Sequence, residues 1–135
     1  MHYFYIVAAL AATAVHSFKI GIIADLHFNP NYDPNASAAT FCEREEGFVT
    51  DVFAPLSRHG CDPSIELVEV MLRHFRYTFA SPDILLIVGD HVGHSTDDYD
   101  GKMETLRITS QLINNYFGDT PVLFQIGNND TRDHD

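Results

Sequence analysis

The 135-residue chain is long enough for one domain, and its 45% hydrophobic and 20% charged content is that of a globular protein with a core. With 19 Asp+Glu against 8 Lys+Arg the formal net charge is −11, a field that excludes general adhesion to nucleic acid or to an anionic membrane. The same field opposes phosphate-bearing ligands unless divalent cations reverse it locally.

Tyr3 to Val15 is an apolar run of 13 residues, short of the roughly 20 that a spanning helix needs. Small residues follow at Val15-His16-Ser17, so the run reads as a secretory signal over residues 1–17, although its start offers only His2 in place of Lys or Arg. The domain then covers residues 18–135. No later apolar run exceeds 10 residues, and no transmembrane segment is expected.

Phe18 to Ala24 is β-branched and bounded by polar residues, which predicts a buried strand. Phe28 to Cys61 is a 34-residue irregular stretch whose early part, NPNYDPNAS, is dense in turn formers. Asn35-Ala36-Ser37 within it is a glycosylation acceptor at Asn35. Cys42 and Cys61 suit a disulfide in a secreted chain, closing 18 intervening residues, worth about 3 kcal/mol in the chain-entropy account. Free thiols or metal ligands are the alternatives, and a spacing of 19 without C-x-x-C makes a poor zinc pair.

From Cys61 to Asp83 the pattern predicts a helix. Asp62 is placed to accept from its first N–H groups, and Pro63 suits the first helical position. Ile65, Val68, Leu72, Phe75 and Phe79 form one apolar stripe, and Pro82 ends it. His74 flanks the stripe and reads as a surface residue. Ile84 to Val88 is apolar throughout, as for a central strand covered on both faces, and ends in Gly89-Asp90. The acidic STDDYDG that follows is not an EF-hand, because Thr96 and Arg107 stand where its first and last carboxylates belong. Lys102 to Gly118 predicts a second helix with Leu106, Ile113 and Phe117 inward and Gly118 as its C-terminal cap. Pro121 to Ile126 predicts the third strand. The order β-loop-α-β-α-β predicts an α/β fold with a parallel sheet.

Ligands of open α/β sheets bind beyond the carboxyl ends of the strands, and each predicted strand here ends in polar residues. Asp25 and His27 lie two apart, so a persisting strand geometry would turn both to one side. Asp90 follows the second strand, Asn128 the third. Carboxylate, imidazole and amide oxygen suit zinc, manganese or iron.

Asp25-Leu26-His27, Gly89-Asp90 and Gly127-Asn128-Asn129-Asp130 together resemble the D-x-H, G-D and G-N-H-acid signature of the calcineurin-like metallophosphoesterase superfamily. DLHFNPNYD, RHGCD and the histidine four residues after Asp90, His94, are similar to secreted acid sphingomyelinase-like phosphodiesterases. The resemblance implies the N-terminal part of a metallophosphoesterase α/β sandwich. It implies two divalent metal ions, zinc first, with Asp25 and His27 on one, Asp90 bridging, and Asn128 on the other. These would present a bridging hydroxide for in-line attack on a phosphoester such as a lipid head group or a nucleotide. His94 and the residue at Asn129 would be catalytic, although the family has histidine at the latter. His91 has no matching role and is taken as a second-layer or exposed residue. The setting implied is secreted, or a lysosome- or vacuole-like lumen. Three further histidines expected from later strands have no counterpart, and His134 lacks their context. A truncated, non-catalytic secreted paralogue, or an incomplete gene product without those ligands, is the alternative.

Overall fold

The computed structural model describes residues 17–79 and 81–131. The expected signal segment, apart from Ser17, and His134 lie outside the described residues. Strands β1 (Ile20–Ala24), β2 (Ile84–Val88) and β3 (Val122–Gln125) alternate with helices α1 (Ile65–Phe79) and α2 (Tyr99–Phe117). The strands form one parallel sheet in the order β1-β2-β3, with Ile22 beside Leu86 and Leu86 beside Leu123. The α/β class and the parallel sheet are as the sequence predicts.

Ile23, Leu85 and Ile87 point to the helices, where they pack with Val68, Leu72, Leu112, Ile113 and Phe117 into one core. The opposite face is open: Ile20 and Ile22 are 55% and 60% exposed, and Leu123 is exposed beside them. This corrects the expectation that β1 is buried and that β2 is covered on both faces. Both helices pack on a single face, so alternate residues of the apolar strands remain at the surface.

Helix α1 starts later than predicted. Ser64 Oγ accepts from Leu67 N at 3.2 Å and is the cap, so Pro63 precedes the helix and Asp62 is turned elsewhere. Val68 and Leu72 are buried and Phe75 packs edge-on against Phe117 at 5.7 Å, but Ile65 and Phe79 are 37% and 57% exposed. A 15-residue helix is about 22 Å long, whereas a five-residue strand is about 17 Å. The ends of the stripe therefore reach past the sheet.

Helix α2 starts three residues before the expected Lys102, capped by Asp98, whose side chain accepts from Gly101 N at 2.8 Å. Ile113 and Phe117 are buried and Leu106 is half-buried. Lys102 is also buried, its Nζ donating to Thr131 O at 2.7 Å. Gly118 is the C-cap but is right-handed (φ −57°), so glycine's left-handed freedom is not used there.

The long loop carries its own scaffold. A 3-10 turn at Ala38–Thr40 is capped by Ser37, and bridges join Tyr32 to Glu43 and Ala36 to Val49. The Cys42–Cys61 disulfide is formed, with Cα atoms 5.8 Å apart. Tyr32 Oη donates to Ala54 O at 2.6 Å. Burial pushes its phenol up from the usual range, the Arg58 guanidinium pulls it back, and Glu66 and Asp33 add to the rise.

Candidate metal centre

The carboxyl ends of the three strands meet. After β1, Asp25 (φ 55°) and His27 (φ 42°) are left-handed, and after β2 so is Asp90 (φ 49°). The predicted persistence of strand geometry is therefore corrected. Two left-handed residues flank Leu26, whose side chain is buried in the core, and the chain is thereby kinked around it. Backbone in this region is costly for residues with a Cβ and clusters at functional sites. The parallel ladder continues through the kink, with His27 N donating to Asp90 O and Phe28 N to His91 O, both at 2.9 Å.

The result is a cluster of donors. His27 Nε2 lies 4.0 Å from Asp25 Oδ1 and 3.9 Å from Asp90 Oδ2, and one ligand atom from each residue falls within 4.8 Å of the others. Atoms so spaced need only a small inward shift to reach the bonds of about 2.0–2.2 Å that a divalent cation makes. Two carboxylates and an imidazole are also the donor chemistry that zinc, manganese and iron accept.

Asp130 bolts the third tip to the second. Its Oδ1 accepts from His91 N and Val92 N at 2.8 and 3.0 Å, and its Oδ2 from Gly127 N at 2.9 Å. Asn129 N then donates to Asp90 Oδ1 at 3.0 Å. The approach is so close that a Cβ on Gly127 would collide with the Asp90 carboxylate and backbone nitrogen. Gly89 is left-handed (φ 56°), and a Cβ there would lie 2.9 Å from Gly127 Cα.

Asn128 is exposed on this turn, and its amide nitrogen donates to Asn129 Oδ1 at 3.2 Å. The other end of the Asn129 amide, Nδ2, lies 3.1 Å from His27 Nδ1. His91, for which an exposed position was one expectation, is buried instead. Its Nε2 pairs with Gln125 O at 3.0 Å, and its ring meets Phe124 edge-on.

The ring of His94 stacks on His27, with centroids 4.4 Å apart and planes 12° apart. Its Nδ1 is 2.8 Å from Asp62 Oδ1, and its backbone N donates to Asp62 Oδ2 at 2.6 Å. Asp62 is buried, while the His94 side chain is 60% exposed. It borders a cavity of about 270 Å³ with Phe41, Gly60, Cys61 and Asp62. Asp62 is the site residue that sequence reasoning missed. RHGCD stood out, but an acid before Pro-Ser reads locally as a helix cap, and its partner is 32 residues away. His74 is exposed and apart from the site, as expected.

A sequence model of calcineurin-like phosphoesterases matches residues 18–135, which include all three strand tips. The chain belongs to the calcineurin-like phosphoesterase family. That membership implies divalent metal ions at a site such as this one. Among similar proteins, acid sphingomyelinase-like phosphodiesterase 3b of Homo sapiens is 28% identical over 115 residues, 83% of this chain and 25% of that protein. Sphingomyelin phosphodiesterase A of Dictyostelium discoideum is 26% identical over 114 residues, 80% of this chain and 19% of that protein. The Mus musculus phosphodiesterase 3b is 28% identical over 111 residues, 80% of this chain and 24% of that protein. The chain thus spans a quarter or less of the relatives it matches. Among the described residues, no helix is long and apolar enough to cross a membrane.

Proposed function

We propose that this phosphoesterase chain carries the N-terminal half of a dinuclear metal site that hydrolyses a phosphodiester. A lipid head group of the sphingomyelin type or a nucleotide would be the substrate. The observation that carries the reading is the convergence of Asp25, His27 and Asp90 at adjacent strand ends within reach of one cation. Asp25 and His27 would hold the first ion, Asp90 would bridge, and Asn128 would serve the second. Zinc fits first, with manganese or iron as alternatives. Two such ions, when bound, supply Lewis acidity at phosphorus and acidify a water for in-line attack.

The rest of the chemistry falls to side chains. His94, fixed through Nδ1 by Asp62, would present Nε2 to the leaving oxygen and deliver a proton to it. Asn129 cannot replace it in that task, since an amide donates hydrogen bonds but does not titrate. Replacing His94 with Ala is expected to lower kcat about 10²–10⁴-fold while metal content stays unchanged. The disulfide and the exposed Asn35, whose acceptor triplet lies on the scaffolded loop, support a secreted or lumenal protein glycosylated at Asn35, with residues 1–17 as its signal.

Metal analysis of the purified chain, together with turnover of a chromogenic phosphodiester, tests the reading. Bound transition metal and hydrolysis, both lost in Asp90→Asn, are expected once a longer product or a partner supplies the remaining ligands. Less than one metal ion per chain and no hydrolysis above buffer would defeat it in favour of the non-catalytic alternative, to which Asn129 in place of histidine already points.

A further inference from the structure

His27 and His94 are stacked imidazoles, and each is held at Nδ1 from outside the pair, His94 by a carboxylate and His27 by the Asn129 amide. The second contact depends on Asn129, which stands where the resembled signature has histidine. Asn129 is only 6% exposed, and an amide so buried is costly to leave without partners. Its backbone N is taken by Asp90, its oxygen by Asn128, and its nitrogen by His27.

We infer that Asn129 is a positioning residue that holds His27 as a metal ligand. The inference rests on the metal site proposed above. A neutral imidazole carries one proton on one of two nitrogens, and the partner of one nitrogen decides the state of the other. Without a cation, Asn129 Nδ2 donates to Nδ1, and the proton resides on Nε2, which faces the Asp25 and Asp90 carboxylates. For Nε2 to bind a cation, its lone pair must be free and the proton must sit on Nδ1. The group facing Nδ1 must then accept. An amide meets both demands, since its two ends are nearly identical in shape and a half-turn presents oxygen in place of nitrogen. That turn gives up the 3.2 Å contact from Asn128, whose exposed amide turns with it so that two donors do not face each other. A side chain with no polar atoms could meet neither demand, and a carboxylate would meet only the second. Groups that orient a ligating histidine in this way are typically worth about 10–100-fold in metal affinity.

The test is zinc(II) affinity, measured by competition with a chromophoric chelator, for the wild-type chain, Asn129→Leu, Asn129→Asp and Asp90→Asn. The Asn129 substitutions leave the backbone bond from residue 129 to Asp90 in place. Asn129→Leu is expected to bind zinc about 10–100-fold more weakly with an unchanged metal-free melting temperature. Asn129→Asp should bind at least as tightly as the wild type. Asn129→Leu binding as tightly as the wild type overturns the inference while leaving the metal site intact. Zinc binding by the wild type that Asp90→Asn does not weaken overturns the site itself. Should Asn129→Leu fail to fold, Asn129→Ala decides. Zinc binding about 10–100-fold weaker than that of the wild type supports the inference, and equal binding overturns it.

Discussion

At the residue scale the site depends on backbone conformations that few residues tolerate. Asp25, His27 and Asp90 are held left-handed, and ladder bonds through His27 and Phe28 fix the kinks. Gly127 is the most constrained position, because any side chain there would displace the Asp90 carboxylate. Gly127→Ala is therefore expected to destabilise the fold by about 1–3 kcal/mol, as overpacking does, and to weaken zinc binding. Urea titration and chelator competition measure the two effects. The D-x-H and G-D segments were legible as chemistry in the sequence. Asp62 was not, since its pairing with His94 spans 32 residues and no local pattern signals it.

At the element scale α1 is held by its middle. Val68 and Leu72 are buried while Ile65 is not, so Leu72→Ala should cost about 2–5 kcal/mol. Ile65→Ala should cost less than about 1 kcal/mol, the ordinary range of surface changes. Chemical denaturation of both variants checks the contrast; equal losses would mean that the whole stripe is core. Ser64→Ala should cost about 1 kcal/mol through loss of the cap, and its hydroxyl also donates to Leu56 O at 2.7 Å. The helices were legible because apolar residues recur at helical spacing. Their starts were less so, because Asp62 and Ser64 are both capable caps and the choice depends on what else each can reach. Asp62 reaches His94.

At the scale of the whole molecule, two features govern behaviour in solution. The disulfide ties Cys42 to Cys61 at the base of α1, next to Asp62. Cys42→Ser with Cys61→Ser should lower stability by about 3 kcal/mol, which differential scanning calorimetry would register as a lower Tm. The open sheet face, with Ile20, Ile22 and Leu123 exposed, is an apolar surface of the kind that drives association. Ile20→Thr with Ile22→Thr should reduce concentration-dependent light scattering, and no change would show that this face is not what associates.

The sequence by itself determined the order of elements and the parallel sheet, and it singled out candidate ligands. These follow from local spacing, short apolar runs and polar punctuation, and each is written within a few consecutive residues. Tertiary structure decided which sheet face is covered, that Asp62 serves His94 and not a helix, that His91 is buried, and that Asn129 faces His27. Those outcomes are contacts between residues far apart in the chain, such as Asp62 with His94, 32 apart, and His27 with Asn129, 102 apart. A one-dimensional pattern carries no term for such pairings, because they arise only once the chain has packed.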